Sequence, residues 1–205
     1  MSISSGTFAH ELQINTMSNS NEHGHIKIVF CRKSEEKVNV IWKDVAKQFD
    51  GEQIPTIIYT TKLDAKEWTK NLIQSAGITT EKAEEDLLQK ISGMPLYVST
   101  NQSYDVGYLS WLILRDTEKQ KVKRVYIESP EALNVSCTDE EIAATGVVAG
   151  TVLRHLAVSL GIEIILVSSS NIPGSEKNVL EFPTVFIEPN GISDYADEIV
   201  YFDNL

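Results

Sequence analysis

Apolar positions along this chain change period repeatedly, and the changes predict alternating strands and helices. Residues 26–30 and 38–42 gather β-branched and aromatic side chains as strands do, 43–49 has the spacing of a short helix, and 56–61 is another strand-like run. Residues 63–76 and 80–91 then carry helical spacing. Each opens on a capping side chain: Asp64 before Ala65-Lys66-Glu67, and Thr79-Thr80-Glu81. Strand-like runs follow at 96–100, 106–114 and 122–128, joined by the polar connections 101–105 and 115–120, which predicts an antiparallel meander. A helix over 139–160 starts at Thr138-Asp139-Glu140-Glu141, where acidic residues suit the positive end of the helix dipole, and stops at Gly161. A strand at 162–168 and a closing pair at 184–188 and 198–202, around the turn Pro189-Asn190-Gly191, complete the chain.

That succession predicts an α/β (α+β) fold: one domain with a mixed, mainly antiparallel central sheet flanked by helices. With 205 residues, 42% of them hydrophobic, the chain can bury one core plus an appendage. The appendage is residues 1–24, rich in Ser, Asn, Gly and His and expected to be a disordered tail, so the folded domain is 25–205.

A net charge of −11 argues against a nucleic-acid or anionic-membrane partner, since phosphates are held by clustered Lys and Arg, and favours an amine or other basic partner. Cys31 and Cys137 form no CxxC pair, and no histidines stand at metal-ligand spacing, so neither a metal site nor a disulfide framework is expected. No apolar run approaches the roughly 20 residues that span a bilayer, and no basic-then-apolar leader opens the chain. The expectation is a cytoplasmic protein.

The order of elements resembles the GNAT superfamily of N-acyltransferases. The residues carrying the likeness are 95–99, 105–113, 125–130, the helix from Gly146 to Gly161, and 166–171, and the likeness spans 26–205. It implies acetyl-CoA or another acyl-CoA as cofactor and direct acyl transfer to a small-molecule or peptide amine. In that fold two parallel strands splay apart to expose backbone groups, and a helix start offers free amides to a pyrophosphate. The resemblance puts Val125 and Ile127 against the pantetheine arm, Ala144, Thr145, Gly146 and Val147 at the pyrophosphate, and Asn171 as a further polar contact. Glu141 stands where the family carries Gln or Arg.

Glu128, at the end of an apolar strand, is the candidate base for the attacking amine, against the alternative of a solvated strand end. Tyr195 and Tyr201 are the tyrosines available as acid, and His155 lies within a helix where packing is the default. Residues 146–150 also fit a plain small-residue contact between helix and sheet. No Ser-His-Asp set, Walker loop or nuclease-like acidic pair stands out. Two alternatives stay open: a non-catalytic interaction or regulatory protein on the same fold, with a protein partner, and a small-ligand-binding α/β protein using Ser168-Ser169-Ser170-Asn171.

Overall fold

The computed structural model describes residues 24–31, 36–49, 51–61, 65–101, 104–128, 133–134, 145–169 and 195–202. In chain order they form β1 (His25–Cys31), α1 (Glu36–Lys47), β2 (Thr56–Thr60), α2 (Ala65–Ser75), α3 (Glu81–Ser92), β3 (Leu96–Thr100), β4 (Tyr104–Asp105), α4 (Val106–Gln120), β5 (Arg124–Glu128), β6 (Leu133–Asn134), α5 (Thr145–Leu160), β7 (Glu163–Ser169) and β8 (Glu198–Phe202). Six strands make one sheet in the order β3-β2-β5-β7-β1-β8, and every pairing within it is parallel. β4 and β6 form a separate two-residue parallel pair.

The mixed, mainly antiparallel sheet expected from the sequence is therefore corrected, and two segments account for the difference. Residues 106–114 belong to α4, not to a meander strand. The Asp105 side chain accepts hydrogen bonds from the amides of Gly107 and Tyr108, which starts the helix, and Val106, Leu109, Leu112, Ile113 and Asp116 are buried at helical spacing. Residues 38–42 belong to α1, whose buried set is Lys37, Val38, Val40, Ile41 and Val45. Both runs are rich in β-branched or aromatic residues, and packing overrides that preference. Once both are helices, strands alternate with crossovers rather than hairpins, and a parallel sheet follows.

A parallel sheet is covered on both faces, so its strands read as near-continuous apolar runs. Alternate residues divide between two cores. Ile26, Ile28, Ile57, Tyr59, Val125, Ile127, Ile164 and Leu166 meet α4 and α5 on one face. Val29, Cys31, Ile58, Tyr126, Ile165 and Val167 meet α1 and α2 on the other. The period of two then places Glu128, two residues beyond Tyr126, on the α1 face together with Cys31.

Polar contacts lock the helices in place. Near the amino ends of the middle strands Arg124 pairs with Asp44 of α1 at 3.0 Å and with Glu163 at 2.6 Å, and the Tyr126 hydroxyl donates to Asp44. On the opposite face the Tyr59 hydroxyl donates to Asp116 of α4 at 2.9 Å. Gly161 ends α5 at φ +59°, a left-handed turn that favours glycine. Among the described residues no helix is long and apolar enough to cross a membrane. Residues 1–23 of the predicted tail, the strand at 184–188 and residues 139–144 of the predicted helix lie outside the described residues.

Candidate functional site

Because all six strands run the same way, their carboxyl ends share one edge, which is where open parallel sheets place their ligands. On the α1 face that edge carries Cys31 at the end of β1, Thr60 at the end of β2, Glu128 at the end of β5 and Ser169 at the end of β7. The first turn of α1 returns from the same edge and carries Lys37. Two charged groups in this set are almost completely removed from water: Lys37 is 0% exposed and Glu128 is 2% exposed. One carboxylate oxygen of Glu128, Oε2, has no hydrogen-bond partner among the described residues. A buried acceptor without a donor costs about 1–3 kcal/mol, so its presence marks a place built for a donor or cation.

The acyl-CoA geometry is absent from the described residues. β5 is hydrogen-bonded on both sides, with Val125 opposite Ile57 and Ile164, and Ile127 opposite Tyr59 and Leu166. Neither flank of β5 is splayed to offer backbone groups to a pantetheine arm, and both side chains are buried in the core beneath α4 and α5. Thr145, Gly146 and Val147 are the first residues of α5, whereas Ala144 and Asn171 lie outside the described residues. Glu128 is neither solvated nor in an open cleft. His155 is exposed and stands 3.4 Å from the Ser159 hydroxyl, Tyr201 lies on β8, and Tyr195 packs on α5. A methyl group added at Gly150 would come within 2.3 Å of the Tyr195 ring, so this glycine serves close packing.

Sequence reasoning missed Lys37. The signal was present as spacing. A phosphate-binding P-loop reads G-x-x-x-x-G-K-[ST] between a buried strand and a helix. Cys31-Arg32-Lys33-Ser34-Glu35-Glu36-Lys37-Val38 occupies that place, between β1 and α1, with the lysine in register. Glu128 correspondingly stands at the end of a buried strand, as does the acidic residue that helps hold Mg²⁺ in such sites. The remaining positions do not fit a Mg²⁺-nucleotide. Cys31 and Glu36 replace the two glycines, so the backbone freedom that lets amides close around phosphates is missing. Glu36 adds a negative charge at the helix start, and Val38, buried in the α1-side core, has no oxygen where Ser or Thr would ligate the metal.

No protein-family model and no curated protein matches the chain. Solved structures do. One of them, an ATPase domain, superposes with a TM-score of 0.68 at 15% identity, covering 91% of this chain and 71% of that one. A DnaB-like replicative helicase, described with its interactions with primase, superposes with a TM-score of 0.69 at 14% identity, covering 88% of this chain and 48% of that one. The fold is thus RecA-like, as used by helicase ATPase domains, and this chain spans about half the length of the second of these proteins. The GNAT resemblance is overturned, and with it the N-acyltransferase activity and the acyl-CoA cofactor. The expectation of an amine partner without nucleic acid falls too, since one structure that shares this fold is a DnaB-like replicative helicase described with its interactions with primase. The inference from net charge failed because overall charge says nothing of where a site lies.

Proposed function

We propose that this chain is a RecA-like domain that works within a nucleic-acid-processing assembly of the helicase type and does not itself turn over nucleoside triphosphate. The observation that carries this reading is residue 38. The chain retains the sheet, the buried lysine and the strand-end acid of a nucleotide site, yet a buried valine stands where the metal-ligating hydroxyl is required. Phosphoryl transfer in such sites depends on positioning and on the metal's charge rather than on covalent chemistry, so losing one of the metal's two protein ligands removes most of what the fold supplies. The likeness to helicase ATPase domains supports the assembly context.

The test is steady-state phosphate release from Mg-ATP by the whole chain and by its Lys37→Ala variant. The two rates are expected to be indistinguishable. Release that Lys37→Ala abolishes would sink the reading. A second reading, nucleotide binding without turnover, is favoured by the unpartnered Glu128 oxygen on the same face as Lys37. Calorimetric titration of Mg-ATP tests it: heat that saturates and is lost in Glu128→Gln supports binding at this site, and the absence of heat rules it out.

A further inference from the structure

The exposed apolar side chains are not scattered. Among the described residues six large hydrophobics are exposed, and three of them crowd the outer face of α4: Tyr108 at 48%, Trp111 at 53% and Leu114 at 47%. Tyr108 and Trp111 stack with ring centroids 6.0 Å apart and an interplanar angle of 18°. The Arg115 guanidinium lies 5.1 Å from the Trp111 ring centre. Standing three residues before Trp111 and four after it, Tyr108 and Arg115 bracket the indole along the helix. The column is anchored in the core. Arg115 pairs at 2.6 Å with Asp116, a buried carboxylate that also accepts the Tyr59 hydroxyl proton from β2. Side chains held this way lose little freedom on docking, and Trp, Tyr and Arg are the residue types that dominate binding energy at protein interfaces.

Charge says what kind of partner fits. Beyond the aromatic pair, half-buried Arg115 and exposed Lys119, Lys121 and Lys123 face one exposed carboxylate, Glu118, before β5 begins. Lys119 stands four residues after Arg115 and extends the same row of the helix. At the other end Asp105 caps the helix. The surface is therefore apolar where α4 starts and cationic where it ends, on a chain whose net charge is −11. A partner segment bearing carboxylates is repelled by most of this molecule and attracted here, which sets both where it lands and in which direction it lies.

We infer that the outer face of α4 docks an acidic segment of a different protein, one that carries a large apolar side chain beside two or more carboxylates. The apolar side chain packs on Trp111 and Leu114, and the carboxylates meet Arg115, Lys119 and Lys121. Exposed charge pairs contribute mainly orientation and encounter rate, so the apolar anchor supplies most of the affinity. No chemistry at Lys37 is involved, since α4 covers the opposite face of the sheet from α1. Single-stranded nucleic acid fits this surface less well. Its bases need an open ring face, whereas Trp111 is already engaged by Tyr108 and Arg115. Its phosphates need cations along the whole track, whereas Asp105 and Glu118 interrupt this one.

The test is selection of a displayed library of random linear peptides on the full chain, followed by fluorescence-anisotropy titration of a recovered peptide against variants. Recovered sequences are expected to combine Asp or Glu with Trp, Phe or Leu and to bind in the micromolar range. Trp111→Ala should weaken binding at least about tenfold, and so should Lys119→Glu/Lys121→Glu. Lys82→Glu, which removes an exposed cation from α3, should leave binding unchanged. Replacing the acidic residues of the peptide by lysine should abolish binding to the wild-type chain and restore it to the charge-reversed variant. Every substituted position is exposed, and circular dichroism checks that each variant folds. A library that yields no binder, binders without acidic residues, or acidic binders insensitive to both α4 variants overturns the proposal. A chain that binds single-stranded oligothymidylate and loses that binding in Trp111→Ala would make α4 a nucleic-acid surface instead.

Discussion

Single side chains in this protein tie helices to the sheet through protons held tightly by the folded state. Burial, joined by the hydrogen bond to Asp116, pushes the Tyr59 hydroxyl well above the ordinary tyrosine range. Burial, then the neighbouring Asp44, does the same to Tyr126. A pKa raised on folding contributes stability that is complete below the unfolded value of about 10 and is lost as pH climbs above it toward the folded value. Chemical denaturation from pH 8 to 11 should therefore show a steady stability until about pH 10 and a fall beyond it. Tyr59→Phe and Tyr126→Phe should each make that fall shallower. An unchanged slope in both variants would contradict the assignment. At neutral pH, Tyr59→Phe should cost about 1 kcal/mol, the worth of one hydrogen bond. Glu128 carries a buried oxygen with no hydrogen-bond partner among the described residues. Its unpartnered oxygen is a cost to the fold, so Glu128→Gln should leave stability unchanged or raise it by about 1 kcal/mol. A loss above about 2 kcal/mol in urea unfolding would show that the carboxylate is paired after all.

Elements show which parts of the fold were legible in the sequence and which were not. β1, β2, β3, β5 and β7 stand within a residue or two of where the apolar runs place them, and in β2, β5 and β7 burial on both faces leaves a nearly unbroken signal. α3 was equally plain: the Thr80 hydroxyl accepts from the Ala83 amide as its capping position predicts. α1 and α4 were not, since Val38-Asn39-Val40-Ile41-Trp42 and Tyr108-Leu109-Ser110-Trp111-Leu112-Ile113 look like strands by composition and are helices by packing. That error hid the site. With 38–42 read as a strand, Lys37 could not be seen to open a helix after β1, and the missing glycines left no motif to correct it. Glu128 drew attention because a charge ending an apolar strand is conspicuous, and the acyl-transfer role expected of it falls with the GNAT resemblance. α5 offers a direct test of its packing against Tyr195. Gly150→Ala should cost about 1–3 kcal/mol by overpacking, and the loss should largely vanish in a Tyr195→Ala background. Additive losses in the double variant would contradict the contact.

At the scale of the whole molecule, two misread helices turn a parallel sheet into an apparent meander, and the functional reading follows the topology. A parallel sheet gathers its strand ends on one edge, so Lys37 and Glu128, 91 positions apart in the chain, come to lie on one face of that edge. The same fold is found in an ATPase domain and in a DnaB-like helicase, and the departures at Cys31, Glu36 and Val38 are why the proposed reading stops short of turnover. The reading proposed above is that this chain keeps a RecA-like fold without turning over nucleoside triphosphate. The most direct measurement is phosphate release at saturating Mg-ATP in the presence of single-stranded DNA, the most permissive condition for a helicase-type domain, with Lys37→Ala alongside. The account predicts the same background rate for both proteins. A rate stimulated by DNA and abolished by Lys37→Ala would contradict it.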